Sequence, residues 1–232
     1  MKRLTIALAF LALVGAFAAL SREQAQTAPG KQKPVAGKKR NVAIVLYEGV
    51  ELLDFAGPGE VFTQSGTEAG EQAFNVYTVA TSTGPLVSQG FLTVKPQYSF
   101  DDAPKPDIVV FPGGNVDGLL KDKRGMAWAK AAATNAEIAM SVCNGAHILA
   151  EAGLLDNKKF TSHWAAIPRL RQKVPTAVVL ENVRFVDNGQ VITTAGVSAG
   201  IDGALHVVER LVGTASAKDA AHVMEYNWQP GR

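Results

Sequence analysis

A strand, a sharp turn and a helix are predicted in succession around the chain's only cysteine, in the segment Ile138-Ala139-Met140-Ser141-Val142-Cys143-Asn144-Gly145-Ala146-His147. An apolar run of small residues ends at Cys143, and a helix-like stretch begins after Gly145. Such a corner projects its side chain out of a sheet and places it at a helix N-terminus, where free N–H groups and the helix dipole favour a thiolate. The pattern is typical of a nucleophile elbow, with sulfur in place of oxygen. The alternative is a buried, unreactive cysteine.

Apolar segments rich in β-branched residues alternate with helical patterns along most of the chain. Strand patterns cover residues 41–46, 74–80, 107–111, 138–142, 178–180, 183–187 and 191–194, with a two-strand excursion at 86–94. Helical patterns cover 125–135, 146–152, part of 161–173, 201–212 and 218–226, and a shorter one is interrupted by Gly57-Pro58-Gly59. The sequence therefore predicts an α/β fold, a mostly parallel sheet with helices on both faces.

Two local features refine this prediction. Asp187-Asn188-Gly189-Gln190 predicts a hairpin, because Asn-Gly accepts the positive φ values of a type I′ turn. The reactive crevice of a parallel sheet lies at the carboxyl ends of its strands. We therefore expect the loops after Leu46, Phe111, Val142 and Thr194 to meet at one edge.

The N-terminal 40 residues differ from the rest of the chain. Lys2 and Arg3 precede an uncharged apolar stretch at 4–20, which ends in small residues and predicts a signal peptide at 1–20 or, if uncleaved, an anchor. Residues 21–40 are basic and rich in Pro and Gly, as in a linker. Residues 41–232 form the predicted domain. The sequence thus predicts an exported protein, periplasmic or secreted.

Charge and cysteine content exclude some classes of function. The chain carries +2 in total; residues 1–20 contribute +2 and residues 21–40 contribute +5, which leaves −5 for residues 41–232. A mildly acidic domain argues against a nucleic-acid partner. The basic linker is either a solvated tether or a segment that lies on an anionic membrane surface. One cysteine cannot form an internal disulfide, so its thiol is free or bridges two chains.

Five motifs together resemble the ThiJ/PfpI superfamily, which has the class I glutamine amidotransferase-like, flavodoxin-like fold. The match runs from about residue 41 to 212 and is most similar to the branch of isonitrile hydratases and the sensor domains of AraC-type regulators. The motifs are Gly49-Val50-Glu51-Leu52-Leu53-Asp54-Phe55-Ala56-Gly57-Pro58-Gly59-Glu60-Val61-Phe62, Phe111-Pro112-Gly113-Gly114, Ser141-Val142-Cys143-Asn144-Gly145-Ala146, Thr161-Ser162-His163-Trp164 and Thr194-Ala195-Gly196-Val197-Ser198-Ala199-Gly200-Ile201-Asp202.

The resemblance implies roles for the two central residues. Cys143 is the expected nucleophile, and Asp54 is its expected acidic partner, which would shuttle a proton between substrate and water. A helix N-cap or a surface charge is the alternative role for Asp54. A small-molecule substrate or ligand and a homodimer are expected, whereas no cofactor and no metal are expected.

Further residues are expected around this pair. The N–H groups of Gly113, Gly114 and Asn144 are candidates for an oxyanion hole, although the glycines also suit a tight turn. Glu60 is expected either behind the site, at a dimer contact or on the solvated surface, and His163 is expected at the rim of the pocket. The remaining histidines are predicted to be less direct: His147 lies on the same helix face as Cys143 but lacks a third metal ligand, and His206 is an ordinary helix residue.

Departures from the family's patterns restrict the activity. Related sequences often carry threonine or histidine where this chain has Asn144, which disfavours a PfpI-type protease. The His-Glu pair of a glutaminase triad is missing after Thr194. The hypotheses that remain are a cysteine-dependent hydratase or hydrolase of the isonitrile hydratase kind, and a non-enzymatic ligand-binding or redox-sensing module without the regulators' DNA-binding domain.

Overall fold

The computed structural model describes residues 39–230, and these contain eleven strands and seven α-helices. The predicted signal segment 1–20 and linker residues 21–38 lie outside the described residues. The strands are β1 (Arg40–Val45), β2 (Phe74–Ala80), β3 (Leu86–Ser88), β4 (Leu92–Val94), β5 (Tyr98–Ser99), β6 (Ile108–Phe111), β7 (Ile138–Ser141), β8 (Lys159–Phe160), β9 (Val178–Val179), β10 (Phe185–Asn188) and β11 (Val191–Thr194). The helices are α1 (Leu52–Gln64), α2 (Asp117–Lys121), α3 (Lys123–Asn135), α4 (Ala146–Glu151), α5 (Ile167–Lys173), α6 (Ala199–Leu211) and α7 (Thr214–Val223). No helix within residues 39–230 has the length and hydropathy needed to cross a membrane.

Seven strands form the main sheet in the order β10-β11-β7-β6-β1-β2-β5. All neighbours pair in parallel except β10 and β11, which form an antiparallel hairpin at one edge. Every residue of β6, β7 and β11 is buried, as expected for strands covered on both faces. The predicted mostly parallel α/β fold is therefore confirmed.

The chain leaves the centre of the sheet in two directions, and this creates the crevice. β1 is followed by α1 and then β2 on one side, whereas β6 is followed by α3 and then β7 on the other side. Because parallel crossovers are right-handed, these opposite directions place α1 and α3 on opposite faces. Helix α1 packs against α6, and α3 packs against α4. The strand order reverses between β1 and β6, which is where ligands bind in open α/β sheets.

Helix α1 is continuous, although an interruption at Gly57-Pro58-Gly59 was expected. Pro58 is buried within the helix and lacks the N–H that would bond to the carbonyl of Asp54. Packing compensates for the lost bond: a Cβ at Gly57 would lie 3.0 Å from Ile201 of α6, so the glycine permits a close helix contact.

The β10–β11 hairpin is present, but its turn differs from the predicted type. Asn188 pairs with Val191, so Gly189 and Gln190 are the central residues. Only Gly189 of these has a positive φ, at 83°. A glycine at the first central position is the pattern of a type II′ turn, whereas type I′ needs positive φ at both positions.

His206 belongs to a polar cluster rather than being an ordinary helix residue. Its Nε2 lies 2.7 Å from Asp187 Oδ2, and its ring stacks on Phe185 at 4.5 Å. Arg210 donates to both Asp187 oxygens at 3.0 and 2.9 Å and to the Gly189 carbonyl at 2.8 Å. These contacts join the edge hairpin to α6.

Candidate active site

The four predicted loops meet at the carboxyl ends of the parallel strands. Asp54 follows β1, Gly113 follows β6, Cys143 follows β7 and Val197 follows β11. Direct contacts link them: Gly113 donates to Asp54, and the Cys143 N–H donates to the Ala195 carbonyl at 3.0 Å. The strand order thus brings together residues that are far apart in the chain.

Cys143 lies at a strained corner between β7 and α4. Its φ is 57°, in the left-handed region that non-glycine residues rarely adopt. A Cβ at Gly145 would lie 2.1 Å from the Phe111 carbonyl oxygen, so only glycine allows this tight turn. The Ser162 hydroxyl donates to the Cys143 carbonyl at 2.7 Å and holds the corner from the β8–α5 segment. The elbow expected from the sequence is present, and its backbone is strained.

Asp54 is fully buried in the first turn of α1. Its Oδ2 accepts a hydrogen bond from the Gly113 N–H at 2.8 Å. Its Oδ1 meets no donor within standard hydrogen-bond geometry, although the Cys143 thiol and the Val197 N–H lie near enough to act on the carboxyl. The surface-charge alternative for Asp54 therefore does not describe this carboxyl.

The environment favours the protonated form of Asp54. Burial raises its pKa from 3.8 to about 7, and the negative charge of Glu51 adds to that rise. The Gly113 N–H, the Cys143 thiol and the Val197 N–H lower the pKa and only partly offset burial. A carboxyl with a pKa near neutrality can both give and accept a proton at physiological pH.

Cys143 is held as a thiol, which is opposite to the direction expected from its place at a helix N-terminus. Burial, followed by the charge of Asp54, raises its pKa to about 12, against the lowering effect of the Asn144 and Val197 N–H groups. Cys143 as a whole residue is 8% exposed. Helix α4 has only six residues, so its dipole is small beside the cost of a buried anion. The Cys143–Asp54 pair therefore retains at least one proton at neutral pH.

The glycine amides expected in an oxyanion hole are already engaged by side chains. The Gly113 N–H bonds to Asp54, and the Gly114 N–H donates to Asn144 Oδ1 at 2.8 Å. Asn144 Nδ2 returns a bond to the Gly114 carbonyl at 2.9 Å. The amides that act on the sulfur are instead those of Asn144 and Val197. Val197 has a φ of 51°, and such strain in a β-branched residue commonly marks a functional site.

Two residues of the site were missed by the sequence reasoning. The Tyr47 hydroxyl bridges the carbonyls of Pro112 and Gly113 at 2.5 and 2.8 Å, and burial raises its pKa well above the usual value. Glu51 precedes α1, and its charge acts on both Asp54 and Cys143. Their positions in the connection between β1 and α1, just before Asp54, were the available signal.

His163 and Glu60 were both expected near the Cys143–Asp54 pair, and the structure places them in different surroundings. His163 is half-buried. Its ring lies against Gly196 in the loop after β11, where an added Cβ would be 2.3 Å away. Its Nδ1 accepts a hydrogen bond from the Ala165 N–H at 3.3 Å. The adjacent Trp164 is 77% exposed. Glu60 is exposed on α1 and accepts from Gln64 at 2.8 Å, so it does not lie behind the site.

His147 is buried beyond the elbow and is kept neutral. Burial, with the charges of Arg169 and Lys173, lowers its pKa to about 4. Its Nδ1 makes no hydrogen bond. Within residues 39–230, no group of three or more His, Cys, Asp or Glu is arranged to hold a metal ion.

The fold and the site define an α/β protein with an elbow cysteine opposed by a buried carboxyl. The chain belongs to the DJ-1/PfpI family, whose model matches residues 40–210. This confirms the resemblance identified from the motifs.

The relatives that match this domain include both an enzyme and a transcriptional regulator. Isonitrile hydratase from Pseudomonas putida is 32% identical over 188 residues, which are 80% of this chain and 78% of the hydratase. The transcriptional regulator GbdR from Pseudomonas aeruginosa is 23% identical over 171 residues, or 74% of this chain and 46% of the regulator. The matches therefore include the regulators of the predicted branch as well as the isonitrile hydratases.

Solved structures support the same fold. A ThiJ/PfpI family protein from Pseudomonas syringae superposes with a TM-score of 0.75 at 29% identity, covering 89% of this chain and 83% of that protein. DJ-1beta from Drosophila melanogaster gives a TM-score of 0.72 at 18% identity, covering 82% of this chain and all of that one. At 18% identity the second comparison concerns the fold alone.

Proposed function

We propose that the protein is a cysteine-dependent hydratase or hydrolase of small molecules, with hydration of isonitriles as its specific reaction. The observation that carries the proposal is the fully buried Asp54 carboxyl, with a pKa of about 7, facing the Cys143 thiol. The 32% identity to isonitrile hydratase supports the choice of substrate class. A carboxyl and a thiol that share protons suit a reaction in which carbon and nitrogen must both be protonated.

The reaction can be written so that every proton is accounted for. The Cys143 sulfur attacks the terminal isonitrile carbon, and the thiol proton passes through Asp54 to that carbon, which gives a thioimidate. Asp54 then accepts a proton from water while the hydroxide adds to the same carbon, and it delivers that proton to nitrogen. The C–S bond breaks, the thiol regains the hydroxyl proton, and an N-substituted formamide leaves.

Two amides are suited to the charge that develops at sulfur. The Asn144 and Val197 N–H groups favour the anionic form of Cys143. They would stabilise the departing thiolate when the C–S bond breaks. Gly113 and Gly114 hold Asp54 and Asn144 in place, which is a supporting role rather than the expected oxyanion role.

The test is formamide production from an alkyl isonitrile, followed by mass spectrometry. Wild type should produce the formamide, and Cys143→Ala should produce none above the uncatalysed background. The rate of formamide production by Asp54→Asn should fall about a hundredfold. Glu60→Gln, an exposed change on the same helix, is the matched control and should keep the wild-type rate. Full turnover by Cys143→Ala would exclude this mechanism.

A non-enzymatic ligand-binding module is the second candidate. The observation in its favour is the buried thiol, whose raised pKa makes it slow to alkylate or oxidise. The similarity to regulators such as GbdR is consistent with a sensor role. An absence of turnover, with ligand-induced rises in thermal stability, would favour this candidate. Rapid conversion of Cys143 to a sulfinic acid by mild peroxide would favour redox sensing instead.

Export and dimerisation complete the proposal. The signal-like segment 1–20 supports export to the periplasm or medium, with the basic linker as a tether or membrane-surface contact. Family membership is the reason to expect a homodimer. Intact mass of the mature protein tests cleavage, vesicle sedimentation tests membrane association, and light scattering tests the oligomeric state.

A further inference from the structure

The backbone N–H and C=O groups of Gly113 and Gly114, in the loop after β6, are all hydrogen-bonded. The Gly113 N–H donates to Asp54 at 2.8 Å, and the Gly113 carbonyl accepts from the Glu51 N–H at 2.9 Å. The Gly114 N–H donates to Asn144 Oδ1 at 2.8 Å, and the Gly114 carbonyl accepts from Asn144 Nδ2 at 2.9 Å. Neither of these two glycine amides is therefore free to bind a substrate.

The side-chain oxygen that occupies the Gly114 amide lies beside the Cys143–Asp54 pair. A Cβ on Gly113 would lie 2.2 Å from Asn144 Oδ1. The same point is 2.7 Å from Asp54 Oδ2 and 2.9 Å from the Cys143 Cβ. The three side chains thus crowd around one spot, and Asn144 Oδ1 takes an amide that could otherwise bind an oxygen atom attached to a carbon on the sulfur.

The Gly114 backbone is also fixed by contacts that do not involve Asn144. Gly114 forms a β-bridge with Val50, and the Val116 N–H donates to the Gly114 carbonyl at 2.9 Å. A Cβ on Gly114 would lie 2.3 Å from the Gly49 carbonyl oxygen, so the two loops pack closely against each other. Removal of the Asn144 side chain should therefore free the amide without displacing it.

The occupied amide matters for some electrophiles and not for others. When a thiol attacks an ester or an amide, the carbonyl electron pair moves to oxygen. Elbow enzymes stabilise that oxyanion with the N–H that follows the nucleophile and with a second N–H from a neighbouring loop. Here both candidates for the second N–H, those of Gly113 and Gly114, already bond to side chains. Attack on an isonitrile moves the electron pair to carbon, which is then protonated, so this step forms no oxyanion.

We propose that Asn144 is a specificity-determining residue, whose Oδ1 closes the oxyanion position beside Cys143 and thereby excludes esters and amides while leaving attack on isonitriles open. Loss of one oxyanion donor slows acyl transfer by about a hundredfold to a thousandfold, so one occupied amide is enough to separate the two classes of electrophile. The preference for isonitriles rests on the proposed function. The closure of the oxyanion position does not depend on it.

The experiment compares two modifications of Cys143, followed by intact mass on the full chain at neutral pH. The ester p-nitrophenyl acetate acetylates the sulfur: the S–C bond forms, the oxyanion collapses, the C–O bond breaks and p-nitrophenol leaves with the thiol proton. Iodoacetamide alkylates the sulfur at a saturated carbon, with release of iodide and the thiol proton and without an oxyanion. Asn144→Ala should raise the ratio of the acetylation rate to the alkylation rate by at least about tenfold. Labelling of Cys143→Ala gives the background for both reagents.

Ser162→Ala is the matched control. It removes another side-chain hydrogen bond at the elbow, the one that the Ser162 hydroxyl donates to the Cys143 carbonyl at 2.7 Å, and it leaves the Gly114 amide occupied. Its ratio should stay at the wild-type value, because a thiol that is merely more accessible reacts faster with both reagents. An unchanged ratio in Asn144→Ala, or an equal rise in both variants, would overturn the inference.

Asn144→Ser is the second variant, for use if Asn144→Ala does not fold. Its hydroxyl ends one bond short of the position of Oδ1 and leaves the Gly114 amide open, so the ratio should again rise, and an unchanged ratio would contradict the inference. In the wild type, NMR should show slow hydrogen exchange at the Gly114 amide, and exchange as fast as in an open loop would show that the amide is unoccupied.

Formamide production from an alkyl isonitrile is scored separately in the same proteins. A raised ratio in Asn144→Ala, with no formamide from the wild type, would refute only the proposed function. Formamide from the wild type, with an unchanged ratio in Asn144→Ala, would refute only the role of Asn144.

Discussion

Gly113 donates its amide hydrogen to Oδ2 of Asp54 at 2.8 Å, although the two residues are 59 positions apart in the chain. The bond joins the loop after β6 to the helix after β1, across the point where the strand order reverses. It fixes the buried carboxyl opposite Cys143. Much of the site's behaviour follows from this contact.

Gly113→Ala should damage the site directly. A Cβ there would lie 2.2 Å from Asn144 Oδ1, 2.7 Å from Asp54 Oδ2 and 2.9 Å from the Cys143 Cβ. We expect a loss of about 1–3 kcal/mol of unfolding free energy and loss of formamide production. Gly118→Ala is the control, since it is exposed with nothing within 4 Å and should be neutral or slightly stabilising. Urea unfolding compares them; equal stability of the two variants would contradict the steric argument.

The buried Asp54 should make the protein less stable as pH rises. Its folded pKa of about 7 lies above the ordinary 3.8, so the folded state binds the proton more tightly than the unfolded state between these values. The contribution of the protonated Asp54 carboxyl to the free energy of unfolding is full below pH about 4. It is lost as the pH rises towards 7, a decrease on the order of 2–4 kcal/mol. Asp54→Asn should flatten that part of the profile. Parallel wild-type and variant profiles in urea unfolding from pH 4.5 to 7.5 would refute the shift.

His147 should act in the opposite direction over an overlapping range. Its folded pKa of about 4 lies below the ordinary 6.5, so the unfolded state binds the proton more tightly. The contribution of the neutral His147 imidazole to the free energy of unfolding is full above pH about 6.5. It falls towards pH 4, a decrease on the order of 1–3 kcal/mol. His147→Gln should reduce acid sensitivity relative to wild type, as read from thermal unfolding at pH 4.5 and 7. An imidazole that titrates near 6.5 by NMR would contradict it.

The Asp187–His206–Arg210 cluster should contribute more than the surface ion pairs. The Arg210 and Asp187 side chains are 24% and 15% exposed, whereas those of Arg171 and Glu181 are 53% and 50% exposed. Arg210→Ala should cost about 1–3 kcal/mol because Asp187 and the Gly189 carbonyl lose a charged donor. Arg171→Ala should cost at most about 0.5 kcal/mol. Equal costs in chemical unfolding would show that burial does not strengthen the cluster.

Sequence reasoning reached the parts of the site that local pattern encodes. The corner at Cys143 follows from a buried apolar run that ends before a glycine, and the loop after Phe111 follows from Pro112-Gly113-Gly114. The association of Asp54 with Cys143 came from the family resemblance and not from spacing. The position of Glu60 stayed open, because a helical pattern can present either face to a site whose direction is unknown.

The protonation state of the Cys143–Asp54 pair could not be predicted from the sequence. A helix N-terminus predicts a thiolate, but the actual balance depends on burial and on Asp54 and Glu51, which only the folded chain brings close. The amide partners were similarly hidden. Asn144 and Asp54 occupy the Gly114 and Gly113 N–H groups through long-range contacts that no local pattern specifies.

The amino-acid sequence by itself determined most of the strands and helices, the mostly parallel sheet and the elbow at Cys143, because these depend on hydrophobic periodicity and on glycine at tight turns. The tertiary structure alone decided which amides, carboxyls and hydroxyls meet at the sulfur, and therefore where the proton resides. Electrostatic energies vary with distance and burial over a few ångströms, and those distances exist only after the β1, β6, β7 and β11 loops have come together.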